Sequence, residues 1–170
     1  LQAEVVETLE KAFISGTGTG QPKGLDNLTF TTSENQILAT ASADTISAID
    51  LAQGVSLLPQ KYARGSIILM NSATACDVSQ FKGTTEYAFD LSNGATMFLG
   101  HPIVISEHMA DDVAYICDPK ELYVRFAMPL QVEANRSSGF TEASTDLRAL
   151  TVVDAVWNPK AVVKVGIASE

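Results

Sequence analysis

The 170-residue chain carries 11 basic and 20 acidic residues, a formal charge of −9, and is 46% hydrophobic but only 18% charged. That is too apolar for a disordered chain, yet no uninterrupted apolar run approaches the ~20 residues a membrane span needs. No window concentrates Lys and Arg, and affinity for nucleic acid comes mainly from cations that neutralise phosphates, so sequence-specific nucleic-acid binding and attachment to an anionic membrane are both disfavoured.

At this length one domain with a small appendage is expected, burying roughly two-thirds of its unfolded surface. Cys76 and Cys117 lie far apart in apolar or mixed surroundings and read as small buried hydrophobes, which points to a reducing cytoplasm rather than to a disulfide scaffold. The glycosylation-like matches at Asn27 and Asn135 are then coincidental. The chain opens on Leu1 without a signal-peptide pattern and reads as a piece of something longer.

In chain order, LQAEVVETLEKAF sets Leu1, Val5, Leu9 and Phe13 on one helical stripe and reads as the tail end of a helix. FISGTGTGQPKGL then places Gly16, Gly18, Gly20 and Gly24 around Pro22 and stops that helix. LDNLTFTT is a short β-like run. A second helix is expected over roughly Ala48 to Gln60, weakened by Gly54 and Pro59. The run Ile67 to Met70 reads as a buried strand, followed by a helix capped by Asn71 or Ser72 and ending near Lys82 and Gly83. From Tyr87 onward β signals dominate: HPIVISE, DVAYICD, LYVRFAM and LQVEAN, then LRALTVVDAVWNP and AVVKVGIA, split at Asn158 and Pro159. Helices early and strands late give an α+β fold with a mixed central sheet flanked by helices.

The glycines invite a phosphate-binding reading, and the motifs fail. A Walker A loop needs GxxxxGK followed by a hydroxyl, whereas Lys23 lacks the preceding Gly and is followed by Gly24. A dinucleotide fingerprint needs GxGxxG between a strand and a helix, whereas here a helix comes first. What remains is an anion nest of backbone amides or, as we read it, a structural loop. His101, Glu107, His108, Asp111 and Asp112 fall within twelve residues but lack the spacing of ligands on one helical face, so they read as a solvated loop. No nucleophile elbow and no cysteine-protease context appears, and Trp157 reads as core or interface. No catalytic, cofactor-binding or metal-ligating residue emerges.

The order of these features resembles the major capsid proteins of tailed bacteriophages, the family with the Hong Kong 97-type fold. The matching pieces are FISGTGTGQPKGL, YARGSIILMNSATACDVSQFKG, MFLGHPIVISEHMAD and LRALTVVDAVWNPKAVVKVGIA, in the family's order and at compatible spacing. The chain departs from the pattern at Thr17, where Asp is common.

The resemblance implies a non-enzymatic shell protein without cofactors, found in the virion and assembled in the bacterial cytoplasm. Its partners would be copies of itself in pentamers and hexamers, with a scaffolding protein or a protease left open. On this mapping residues 1–24 end a spine helix and form the glycine-rich loop of a peripheral domain. Residues 25–139 form an axial domain, 140–158 a strand returning to the peripheral domain, and 159–170 a terminal strand of the axial sheet. The family's N-terminal arm, extended hairpin and most of the spine helix would precede Leu1, together with any cross-linking Lys. The family motif residues carried over are Gly16, Gly18, Gly20, Pro22 and Gly24, in a structural role. An encapsulin-like compartment shell shares the fold and is the alternative, and a nucleotide-binding enzyme using the glycine loop is the competitor from another class.

Overall fold

The computed structural model describes residues 2–32, 34–39, 45–80, 97–135 and 146–167. Helix α1 (Gln2–Ser15) leads through the glycine loop to a 3-10 turn at Leu25–Asn27. Strand β1 (Gln36–Ala39), helices α2 (Ala48–Leu57) and α3 (Gln60–Ala63), strand β2 (Ile67–Met70) and helix α4 (Ser72–Gln80) follow. The remainder is β3 (Met97–Phe98), β4 (His101–Ile105), β5 (Val113–Cys117), β6 (Leu122–Asn135), β7 (Asp146–Trp157) and β8 (Val162–Ile167).

Six strands form the main sheet in the order β1-β8-β5-β2-β4-β3, and β6 with β7 forms a separate two-stranded ribbon. In the main sheet β1–β8 and β2–β4 are parallel, while β8–β5, β5–β2 and β4–β3 are antiparallel. The expected α+β class with a mixed sheet is what the chain adopts.

Alternation along the central strands sends side chains to two cores, because successive residues of a strand face opposite ways. On one face Ile68, Met70, Ala114, Ile116, Val163 and Val165 meet Leu51, Leu58 and Tyr62 from the helices. On the other, Tyr115, Cys117 and Val162 meet Ile14 of α1, Leu25, Met109 and Trp157. With both faces covered, β2 reads as the continuous apolar run IILM, as a strand buried on both sides does.

Helix α2 starts at a capping box: the Ser47 hydroxyl accepts from the Asp50 N–H, and the Asp50 carboxylate accepts from the Ser47 N–H at 2.9 Å. Such reciprocal capping satisfies two otherwise orphaned donors. Gly54, expected to weaken this helix, is what lets it lie on the sheet. A Cβ there would sit 2.6 Å from Val165 Cγ2 and 2.8 Å from Ile116 Cδ1. Asn71 does cap α4, its Oδ1 accepting from the Thr74 N–H at 2.7 Å; the helix's expected end near Lys82 and Gly83 lies outside the described residues.

Three local expectations change. The β-like run after Gly24 instead opens with the 3-10 turn, which seats the fully buried Leu25 in the second core. LYVRFAM and LQVEAN form one strand, with register shifts between Phe126 and Met128 and between Met128 and Gln131 that absorb Pro129; proline lacks the N–H a ladder needs. Cys76 is exposed on α4 rather than buried, whereas Cys117 is fully buried in β5, and neither is in a disulfide.

The strand pair β5–β8 passes directly into the pair β6–β7. Between Cys117 and Leu122 on one chain segment, and between Trp157 and Val162 on the other, stand two 3-10 turns, Pro119–Glu121 and Pro159–Ala161. The boundary expected at 139/140 falls between the two ribbon strands, outside the described residues, while β6 pairs with β7 along its length.

Candidate assembly surface

The glycine loop is closed on itself. The Gly24 N–H donates to the Gly16 carbonyl at 2.8 Å, Gly16 N–H donates to the Ala12 carbonyl at 3.0 Å, and Thr17 bridges Lys23. The Asn27 side-chain amide donates to the Gly16 carbonyl at 2.9 Å, tying the helix end to the turn beyond the loop.

The four glycines serve two different needs. Gly18 and Gly20 have φ of +80° and +70°, the left-handed region that favours glycine. Gly16 and Gly24 sit where backbone approaches backbone: a Cβ on Gly16 would lie 2.2 Å from the Pro22 carbonyl oxygen, and one on Gly24 2.4 Å from that of Ile14. Pro22 is buried.

Beyond the loop, the tyrosine of β5 holds the 3-10 turn, its hydroxyl donating to Asp26 Oδ1 at 2.7 Å. Burial, and then this hydrogen bond and the Asp26 charge, hold the Tyr115 phenol well above the usual tyrosine range. The Lys164 ammonium stands 5.7 Å from the Phe30 ring and 5.8 Å from the Tyr115 ring, within reach of both faces. Ser106 Oγ donates to Glu10 Oε1 at 2.5 Å, and Trp157 Nε1 donates to the Phe13 carbonyl at 3.2 Å. These bonds dock the end of α1 onto the sheet.

The His and Asp residues of HPIVISEHMADD are dispersed into separate structural bonds. His101 Nδ1 pairs with Ser66 Oγ at 2.8 Å, Asp111 takes the Asn71 amide, and the Asp112 N–H donates to Thr74 Oγ1 at 2.9 Å. Among the described residues no group of His, Cys, Asp and Glu converges to hold a metal ion. No described helix is long and apolar enough to cross a membrane.

The notable surface is the ribbon. Tyr123, Phe126, Val132, Leu147, Val152 and Val156 are each at least half exposed and fall on both faces of the ribbon. A two-stranded ribbon is marginal in water by itself, and contiguous exposed apolar surface marks an interaction site. Between the ribbon and α1 runs a groove of about 780 Å³, lined by Thr8, Leu9, Ala12, Pro22, Thr151 and Val152 among others. A second of about 520 Å³ continues it along Glu4, Val5, Leu147 and Leu150. Of the α1 apolar stripe, Val5, Leu9 and Phe13 are only half-buried, and Ile14 beside it is the residue that enters the core. Sequence reasoning missed the ribbon as a surface, although the apolar residues on both faces of LYVRFAM were the available signal.

The model of the phage capsid family matches residues 1–167. The chain belongs to the phage capsid family. This membership agrees with a fold shared with several solved structures. The capsid protein of an empty GTA particle superimposes with a TM-score of 0.80 at 19% identity, covering 99% of this chain and 62% of that one. The protein of Gordonia phage Cozz gives 0.64 at 15% identity, covering 99% and 61%. A virus-like particle from Pyrococcus furiosus gives 0.55 at 12% identity, covering 94% and 61%. The chain thus spans about three-fifths of the length of these proteins. No curated protein matches it. For a capsid-family chain, a site made of surfaces rather than of a reactive pocket is the expected kind.

Proposed function

We propose that the chain is the greater part of a major capsid subunit, which packs with copies of itself in pentamers and hexamers into an icosahedral head enclosing DNA. The observation that carries this is the ribbon: a member of a capsid family presents large apolar side chains to solvent on both faces of a two-stranded element. Symmetric repetition multiplies a modest contact into a large buried area. The net charge of −9 fits a wall that encloses a polyanion without gripping it.

In this reading α1, the glycine loop and the ribbon belong to the peripheral domain, and the main sheet with α2 to α4 is the axial domain. The division then falls at the two 3-10 turns rather than at 139/140. The glycine loop is then the bonded edge of the peripheral domain, from which the chain passes on toward the axial domain. Because the Gly16 and Gly24 amide hydrogens are given to the Ala12 and Gly16 carbonyls, they are not offered to a phosphate, which weighs against nucleotide binding. The encapsulin-like alternative gains nothing beyond the shared fold.

Electron microscopy of the expressed gene product tests the proposal. Closed particles of uniform size containing nucleic acid are expected when they are isolated from phage-producing cells; amorphous or strictly monomeric product overturns it, and particles filled with a protein cargo favour the encapsulin-like reading. The 170-residue chain alone is expected to remain a monomer or weak oligomer in light scattering. A thermal shift of several degrees with ATP or NAD would revive the nucleotide reading.

A further inference from the structure

The ribbon joins the main sheet through two turns of the same make. Asp118-Pro119-Lys120 leaves β5 and Asn158-Pro159-Lys160 enters β8; in each the Asx side chain caps the turn by accepting from the N–H of the following Lys, at 3.1 and 3.2 Å. The turns face one another across the ladder. The Asp118 N–H donates to the Ala161 carbonyl at 3.2 Å, and the Asn158 N–H to the Glu121 carbonyl at 3.1 Å. A continuous two-stranded ladder is therefore interrupted on both strands at the same level, and the interruption is where one sheet ends and the other begins.

The two halves of this joint are unequal. The Asp118 side chain is a carboxylate, which accepts but does not donate, and it caps its own turn. The Asn158 amide caps its own turn through Oδ1 and uses Nδ2 to reach across, 2.7 Å to Glu121 Oε2 on the opposite turn and 3.1 Å to the Tyr62 hydroxyl on α3. Tyr62 is buried in the core beneath the main sheet. One half-buried side chain thus bonds both crossing segments and the body of the sheet. The bond to the Glu121 carboxylate has a charged acceptor and is stronger than a neutral one, and a packed core holds discrete arrangements rather than deforming continuously.

We propose that Asn158 is a positioning residue that fixes the angle between the ribbon and the main sheet and, through that angle, the curvature of the shell. The final step rests on the shell reading above; the first does not. Proline at the start of each turn fixes one backbone torsion, and the cross-joint bonds constrain part of the freedom that remains.

The test uses a spin label at Val132→Cys on the ribbon and another at Gln53→Cys on α2, with Cys76→Ser to remove the exposed native thiol, and reads the distance distribution by pulsed electron resonance. The parent chain is expected to give one narrow distance. Asn158→Asp keeps the oxygen that caps Lys160 but sets a carboxylate against Glu121 in place of the donor. It is expected to broaden the distribution or move it by several ångströms. Adding Glu121→Gln restores a donor between the two positions and is expected to restore the narrow distance, a rescue that general weakening of the fold would not produce.

A parent-like distribution in Asn158→Asp, or no recovery in the double variant, overturns the proposal. If circular dichroism shows Asn158→Asp unfolded, Tyr62→Phe decides instead, because it removes only the acceptor oxygen: broadening supports the joint and an unchanged distance overturns it. In particles assembled from the gene product, Asn158→Asp is expected to spread the diameters and the double variant to narrow them again. Parent-like diameters beside a broadened distance overturn the curvature step alone. Absence of particles from the parent product overturns the shell reading, and the curvature step with it, while the distance result stands.

Discussion

Gly16 and Gly20 belong to one loop but answer to different forces, and substitution separates them. Gly20 has a positive φ and open space around its Cα, so Gly20→Ala is expected to cost about 1–2 kcal/mol from left-handed backbone alone. At Gly16 the obstacles are the carbonyl oxygens of Pro22 and Ala12, which are backbone and have no rotamer to escape into. Gly16→Ala is therefore expected to cost more than Gly20→Ala by at least about 1 kcal/mol, read as denaturant midpoints at unchanged m-value. Equal losses would mean that the loop relaxes freely.

The thiols make a second residue-scale case. Burial, helped by the adjacent Asp118 carboxylate, pushes Cys117 up from near 9 to about 12. Below about pH 9 the thiol is neutral in both folded and unfolded chains, and no stability depends on it. Above that the unfolded chain loses its proton first, so stability falls as pH rises toward 12. Tyr115, shifted in the same direction, adds to the loss at higher pH. Alkaline unfolding followed by Trp157 fluorescence should be shallower in Cys117→Ala between pH 9 and 10. A thiol reagent at neutral pH should modify one cysteine, the exposed Cys76, and reach the second only in denaturant; two fast-reacting thiols in the folded chain would contradict the burial.

Among the elements, α2 shows how a helix former can be the wrong residue for a helix. Alanine exceeds glycine by about 1 kcal/mol in helix interiors, yet at Gly54 its methyl meets Val165 and Ile116 at less than 3.0 Å. Overpacking of this kind costs about 1–3 kcal/mol, so Gly54→Ala is expected to be neutral or destabilising in thermal melts, and a clear gain would mean the sheet yields. The ribbon shows the opposite case, large apolar side chains left about half in solvent. Phe126→Ser and Val152→Ser lie on exposed positions and should change the chain's own stability by no more than about 0.5 kcal/mol. In the assembling gene product the same pair is expected to reduce particle yield several-fold, and undiminished particles would move the contact elsewhere.

For the whole molecule, stability should be uneven. The main sheet is covered by apolar clusters on both faces, whereas the ribbon's hydrogen bonds are held by two strands with mostly exposed side chains. Local opening is easiest where few buried contacts oppose it. Amide hydrogen exchange should therefore be slowest in β5 and β8 and faster in β6 and β7, with the change occurring across Asp118–Leu122 and Trp157–Val162. Uniform protection throughout would show that the ribbon is as firmly held as the sheet.

Much of this organisation is legible in the residues themselves, because it rests on short-range rules. The stripe of α1, the Asn71 cap, the IILM strand and the Asn158-Pro159 break each follow from periodicity or from one side chain's hydrogen bond. The order of the motifs also carries the family. Three things depend on distant partners and became readable only once those partners were placed. Gly54 looked like a flaw until Val165 and Ile116 came beneath it, and LYVRFAM and LQVEAN looked like two strands until β7 offered a ladder that could absorb Pro129 in a bulge. Asn158 looked like a strand terminator, and its amide acquired a second role only when Glu121 and Tyr62, 37 and 96 positions away, met at the joint. Local chemistry sets what each segment tends to do; which face is buried, and which side chain spans a junction, is decided by contacts between segments whose separation along the chain carries no signal of their meeting.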